Sequence, residues 1–259
     1  MPDVYQGAPT PITAFLSVGS KAAGFIVLMR VLEVFLSVPA MLQKVMTAIV
    51  VLAALSLVYG NLAAMPQSNL KRLMAYSSIG HAGYLLIAVA CIGVQYAELA
   101  ISFYLAGYLL MTLLTFLVMI VVANHSAGDD IDHFNGLSKR SPYLAFGMLV
   151  AMGSLAGIPL TVGFFGKFLV FYVAYEKGRF LLIGLGVITV AAGFYYYLKV
   201  VRAMYWKEAT DQTPIRTQPL TRGAIAVLAF CIFLFGVYPA PVMRALQPPP
   251  TDNPRLVAR

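Results

Sequence analysis

The sequence predicts an all-α polytopic membrane protein of about seven transmembrane helices, one of them broken. Three observations carry this. Of 259 residues, 60% are hydrophobic and only 11% charged, and the mean hydropathy is +0.82, a balance that a soluble domain does not tolerate. Apolar runs long enough to cross a hydrocarbon core of about 30 Å recur along the whole chain. The third observation is the stretch Ser154-Leu-Ala-Gly-Ile-Pro-Leu-Thr-Val-Gly-Phe-Phe-Gly-Lys167, which sets glycines, a proline and a lysine inside an otherwise uncharged segment from Tyr143 to Tyr175.

The spans fall near residues 12–32, 45–65, 74–93, 98–123, 143–175, 179–199 and 222–243. A straight helix over 143–175 would rise roughly 50 Å, too long for one simple crossing. Pro159 lacks a backbone donor and the flanking glycines favour unwinding, so the segment reads as two half-helices joined near mid-depth. Irregular backbone at that depth survives where it is buried in protein or lines a wet cavity, which makes Lys167 a candidate member of an ion pathway. An alternative is a kinked packing helix whose lysine reaches an interface.

Lys21 lies about nine residues into the first span, near mid-membrane, where a lysine costs at least a few kcal/mol. Either it takes part in transfer or it forms a static ion pair with another subunit. In the third span Ser77, His81 and Tyr84 share a helix face, and His81 reads equally as a proton relay or as a hydrogen-bonded interior histidine. Tyr104, Tyr108, Thr112 and Thr115 form a polar stripe on the fourth span. Tyr195, Tyr196, Tyr197, Lys199 and Arg202 end the sixth as an aromatic and basic belt. No Asp or Glu falls at mid-depth in any predicted span, so titrating groups inside the membrane are lysines and histidine, and carboxylate partners must come from elsewhere.

Several function classes fall away. Cys91 and Cys231 lie far apart in apolar runs, without C-x-x-C or an iron–sulfur ligand pattern, so no redox centre or cofactor is expected in this chain. The polar connection from His125 to Ser141 carries Asp129, Asp130, Asp132 and His133 without metal-site spacing; a solvated loop and no metal are expected. The net charge of +8 is scattered among loops, so no nucleic acid is expected as partner, and the lipid bilayer is. The lysine and arginine bias across those loops favours a cytoplasmic N-terminus, and the first residues lack the pattern of a cleavable signal peptide.

Four motifs carry a resemblance over nearly the whole chain: Pro2-Asp-Val-Tyr-Gln-Gly-Ala-Pro-Thr-Pro; Gly60-Asn-Leu with Asn69-Leu-Lys-Arg-Leu-Met-Ala-Tyr-Ser-Ser-Ile-Gly-His81; Ser154 through Lys167; and Tyr195-Tyr-Tyr-Leu-Lys-Val. They closely resemble the antiporter-like membrane subunits of respiratory complex I, with the N-type subunit of the bacterial proton-translocating NADH–quinone oxidoreductase the best fit. The M-type usually has a glutamate where Lys167 stands, and the L-type continues into a long lateral helix.

The resemblance implies a proton-pumping module built from inverted repeats of five helices, of which this chain holds the second repeat plus one helix on either side. It implies that Lys21 is a connecting lysine, Lys167 the lysine on a broken helix, and His81 a polar-axis residue, the three together serving proton translocation. It implies M-type and K-type neighbours, quinone as substrate of the complex, FMN and iron–sulfur clusters in partner subunits, and a bacterial inner-membrane location. Residues 1–243 then form the translocation domain and 244–259 a Pro-rich tail. Since the first repeat of the family is not in this sequence, a fragment, a split gene or a start assigned at an internal methionine is expected. Two other functions compete: a non-conducting structural piece of the membrane arm, and a subunit of a related cation/proton antiporter or membrane-bound hydrogenase.

Overall fold

A computed structural model describes residues 1–35, 39–125, 128–209 and 213–246, and these are all-helical apart from an isolated bridge between Asn69 and Asp130. Two short helices, α1 (Pro2–Gly7) and α2 (Thr10–Phe15), lead through a π-turn at Leu16–Ser20 into α3 (Lys21–Phe35). Then follow α4 (Pro39–Ala64), α5 (Leu70–Val89), α6 (Ala97–Ala123), a 3₁₀ turn at Ile131–Phe134, α7 (Leu137–Arg140), α8 (Pro142–Ala156), α9 (Val162–Glu176), α10 (Phe180–Trp206), α11 (Pro219–Val237) and α12 (Ala240–Leu246).

Five stretches, Thr10–Phe35, Met41–Ala64, Ala97–Ala123, Phe180–Trp206 and Pro219–Val237, are long and apolar enough to cross a membrane individually. The other two predicted spans are α5, with 20 residues, and the pair α8 and α9, with 15 residues each. Each half of that pair rises only about 22 Å, so the two cross as a unit. Span ends move for identifiable reasons. The third begins earlier than residue 74 because Asn69 caps its N-terminus, its side chain accepting from the Arg72 backbone N–H at 3.1 Å, which admits Lys71 and Arg72 to the first turn. The last stops at Val237 because Tyr238 precedes a proline and is held out of the helical region. Arg244 to Leu246 are helical, and the rest of the expected Pro-rich tail, 247–259, lies outside the described residues.

α5 is the centre of the packing. It contacts α1, α4, α6 and α9, and although it holds Lys71, Arg72, His81 and four serine or tyrosine hydroxyls, 15 of its 20 residues are buried and the rest are half-buried. In lipid the outside of a bundle is as apolar as its inside, so the polar helix goes to the middle and the apolar ones around it. The outer helices accordingly expose Val51, Leu52 and Leu55 on α4, Ile188 on α10 and Phe230 on α11. α4 and α5 touch backbone to backbone: a Cβ placed on Gly60 would sit 2.4 Å from the Gly80 nitrogen. Small residues permit this approach.

The polar connection after α6 is docked rather than free. Asp129 pairs with Lys71 at 2.8 Å, the Asp129 carbonyl accepts from the Leu70 N–H, and Ile131 and Phe134 are buried. Acidic residues there meet cations of other segments, which spacing along the loop does not reveal. At its outer end Asp132 pairs with Lys207 at 2.9 Å, and that ammonium holds its carboxyl below the usual carboxylate range.

Gly60→Val should lower thermal stability by about 1–3 kcal/mol through overpacking against α5, read as the unfolding midpoint of the purified membrane protein. Gly24→Ala, where a Cβ meets no atom within 4 Å, should leave that midpoint within about 0.5 kcal/mol of the parent; equal losses in both variants would contradict the close-approach account.

Candidate functional site: a lysine and histidine axis

The break between α8 and α9 is a sequence of backbone events. Gly157 ends α8 in the left-handed region, φ 98°, with its N–H on the Gly153 carbonyl at 3.0 Å and the Ile158 N–H on the same carbonyl at 2.9 Å. Pro159 follows, Leu160 is held at φ 71°, and Thr161 restarts the helix with its hydroxyl towards the Phe164 N–H. A left-handed leucine costs about 1–2 kcal/mol, a strain typical of places where the surroundings dictate the backbone.

What the break creates is a set of free acceptors. The last carbonyls of a helix have no partner within it and carry the negative end of its dipole. Lys167, one turn into α9 and 6% exposed, turns back to them: its Nζ donates to the Leu155 carbonyl at 2.7 Å and to the Ala156 carbonyl at 2.8 Å. The same ammonium lies 5.4 Å from the centroid of the Tyr84 ring. The proline and glycines that expose the carbonyls and the lysine that needs them are therefore one device.

His81, 3% exposed on α5, is engaged through both ring nitrogens. Nδ1 lies 2.7 Å from the Tyr104 hydroxyl and Nε2 3.0 Å from the Tyr197 hydroxyl. The Tyr197 hydroxyl also meets the Ser77 hydroxyl in a short contact. A neutral imidazole has one donor and one acceptor nitrogen, so one tyrosine gives its proton to the ring while the other receives one. Reversing the roles needs only hydroxyl rotation and a change of tautomer, which is what a relay between two sides of a ring requires. A small void of about 10 Å³, room for one water at most, is lined among others by Asn61, His81, Tyr84, Lys167, Tyr196 and Tyr197.

Lys21 opens α3 directly after the π-turn, a feature that often marks functional positions. Its Nζ donates to the Ser78 carbonyl at 2.8 Å and sits 3.9 Å above the centroid of the Tyr108 ring. That ring is 5.0 Å from the His81 ring, centroid to centroid. Thus the structure brings the three sequence-predicted residues onto one core: Lys21 and His81 meet through Tyr108, and His81 and Lys167 line one void. Ser17 and Ser20 bond to their own helix, at Ala14 and Leu16, and not to Lys21.

Two members were not recognised as such from the sequence. Tyr196 and Tyr197 belong to a triplet that reads as an interfacial belt, yet both are buried, Tyr196 donating to Asn61 Oδ1 at 3.0 Å and Tyr197 bridging Ser77 and His81. Only Tyr195 and Arg202 of that group face outward. Lys199 donates to the Gln67 carbonyl at 2.9 Å, just past the end of α4. The available signal is the stripe Gly186, Thr189, Gly193, Tyr197 on α10, at near-helical intervals.

Comparison with known proteins gives the family. A family model described as "NADH:quinone oxidoreductase/Mrp antiporter, TM" matches residues 1–193. The chain is 40% identical over 253 residues to NADH-quinone oxidoreductase subunit N 2 of Chloroherpeton thalassium, a match covering 93% of this chain and 49% of that protein. It is 43% identical over 254 residues to NADH-quinone oxidoreductase subunit N 1 of Opitutus terrae, covering 93% and 50%. The chain thus spans about half the length of these relatives. A chain of respiratory complex I from Thermus thermophilus superposes with a TM-score of 0.80 at 37% identity, covering 95% of this chain and 53% of that one. A chain of an archaeal membrane-bound sulfane sulfur reductase superposes at 0.88 with 28% identity, covering 95% and 50%. With the family model spanning most of its length and the broken helix, buried lysines and polar core in place, the chain belongs to the NADH:quinone oxidoreductase/Mrp antiporter transmembrane family.

Proposed function

We propose that this chain forms part of the membrane arm of a proton-translocating NADH–quinone oxidoreductase and moves protons along Lys21, His81 and Lys167. The observation that carries the proposal is His81 bonded through both ring nitrogens to tyrosine hydroxyls while sharing a void with Lys167. In this reading Lys167 alternates between an ammonium held by the Leu155 and Ala156 carbonyls and a neutral amine that has passed its proton into the void. His81 receives or returns a proton through a tautomer change, with Tyr104 and Tyr197 as hydroxyl rotors.

Residues 1–243 act as the translocation domain. The driving reaction belongs to neighbouring subunits, where FMN, iron–sulfur clusters and quinone would be handled, and the expected neighbours are M-type and K-type membrane subunits. Their carboxylates supply the opposite charge that the sequence of this chain does not place at mid-depth in its predicted spans. The location that follows is a bacterial inner membrane, with a cytoplasmic N-terminus. The identities to N-type subunits support this reading over that of an antiporter subunit.

In the purified complex reconstituted into liposomes, Lys167→Ala should reduce the protons moved per NADH oxidised while assembly and NADH oxidation persist; an unchanged ratio would sink the proposal. Tyr197→Phe removes the hydroxyl between Ser77 and His81 and should slow pumping about tenfold or more. Tyr195→Phe, on the exposed side of the same helix, should pump at the parental rate, and parity between the two tyrosine variants would remove Tyr197 from the relay.

A further inference from the structure

α11 carries no charged residue after Arg222, and of its side chains only Ile225, Ala229 and Ile232 are buried. Its C-terminal end nevertheless touches the break between α8 and α9 backbone to backbone. A Cβ placed on Gly236 would press on the Leu160 carbonyl oxygen and the Thr161 carbonyl carbon, and would lie 2.6 Å from the Thr161 Cα. All three are main-chain atoms, which cannot rotate aside as the tip of a side chain can. Any side chain at position 236 would therefore force one of the two backbones to retreat by roughly 1 Å before normal contact distances were restored.

The residues touched are those that make the break. Leu160 is left-handed although it is not glycine, and its side chain is 64% exposed, so packing of that side chain does not hold it there. Thr161 caps the N-terminus of α9. The first turn of α9 is closed on other sides as well. A Cβ on Gly163 would overlap the Ser154 carbonyl of α8 and lie 2.8 Å from the Met111 sulfur of α6, and one on Gly107 of α6 would lie 2.9 Å from a Val162 methyl. Lys167 stands six residues after Thr161, about 9 Å along the helix. Its bonds to the Leu155 and Ala156 carbonyls are 2.7 and 2.8 Å long. A shift of α9 by roughly 1 Å would break both, since a contact of about 3.6 Å is no longer a hydrogen bond.

We propose that Gly236 and Leu160 are positioning residues for proton transfer at Lys167: the end of α11 lies on the break as a stop, imposes the left-handed turn at Leu160 and the cap at Thr161, and thereby sets the reach of the lysine to the α8 carbonyls. This deepens the proton-transfer reading and rests on it. Neither residue touches the proton. α11 brings no titrating group to the axis and acts on it through its backbone alone, which only a glycine at the point of contact permits.

The test uses the whole complex in liposomes and reads the protons moved per NADH oxidised. Gly236→Ala should lower that ratio to the level of Lys167→Ala. Gly223→Ala, on the same helix with no atom within 4 Å of the added Cβ, should leave it at the parental value. Leu160→Val puts no bulk under α11 and alters an exposed side chain, but a β-branched residue does not settle in the left-handed region. It should give the same loss as Gly236→Ala, and it is the second variant should the alanine disturb assembly. Neither change should add to the loss in a Lys167→Ala background, because a positioning residue acts only through the group it positions, whereas a general packing defect is additive. A parental ratio in either assembled variant, or additive losses, overturns the proposal. A parental ratio in Lys167→Ala itself overturns the proton-transfer reading, so the two failures are distinguishable.

Discussion

The contact between Lys167 and the open end of α8 is the interaction on which the rest of the core turns. A lysine at mid-depth is costly in lipid, and so is a pair of unpaired carbonyls. Placed against one another at 2.7 and 2.8 Å, each removes the other's penalty. The pairing fixes where α9 begins, which side it presents to α5 and hence the void shared with His81 and Tyr84. Without the lysine the break would be a defect; without the break the lysine would have no backbone to bind.

Much of this was readable in the residues. Proline and glycine inside an uncharged run too long for one crossing announce a broken helix, and the depth of Lys21, His81 and Lys167 follows from counting residues from the span ends. The partners of those groups were less readable. Lys167 and Lys21 both bond to main-chain carbonyls, and a carbonyl leaves no mark in a sequence. Tyr197 was hidden for another reason: three successive tyrosines near a span end look like a belt, whereas successive residues on a helix point about 100° apart and cannot all face the interface. The docked loop was obscured because Asp129 meets Lys71, a residue of another segment.

Hydroxyl groups dominate the core. Around His81 they are paired, on Tyr104, Tyr197 and Ser77. They form a closed chain of direct bonds, which rearranges by hydroxyl rotation and a change of tautomer.

The contact of Gly60 with Gly80 bears on how such a core can work at all. With two backbones touching, direct steric contact opposes any shift of α5 towards α4, and packed interiors resist small continuous displacements. Ser77, Ser78, His81 and Tyr84 ride on that closely packed helix. In the proposed transfer, a proton passes along them by torsion of side chains rather than by movement of the helix that carries them.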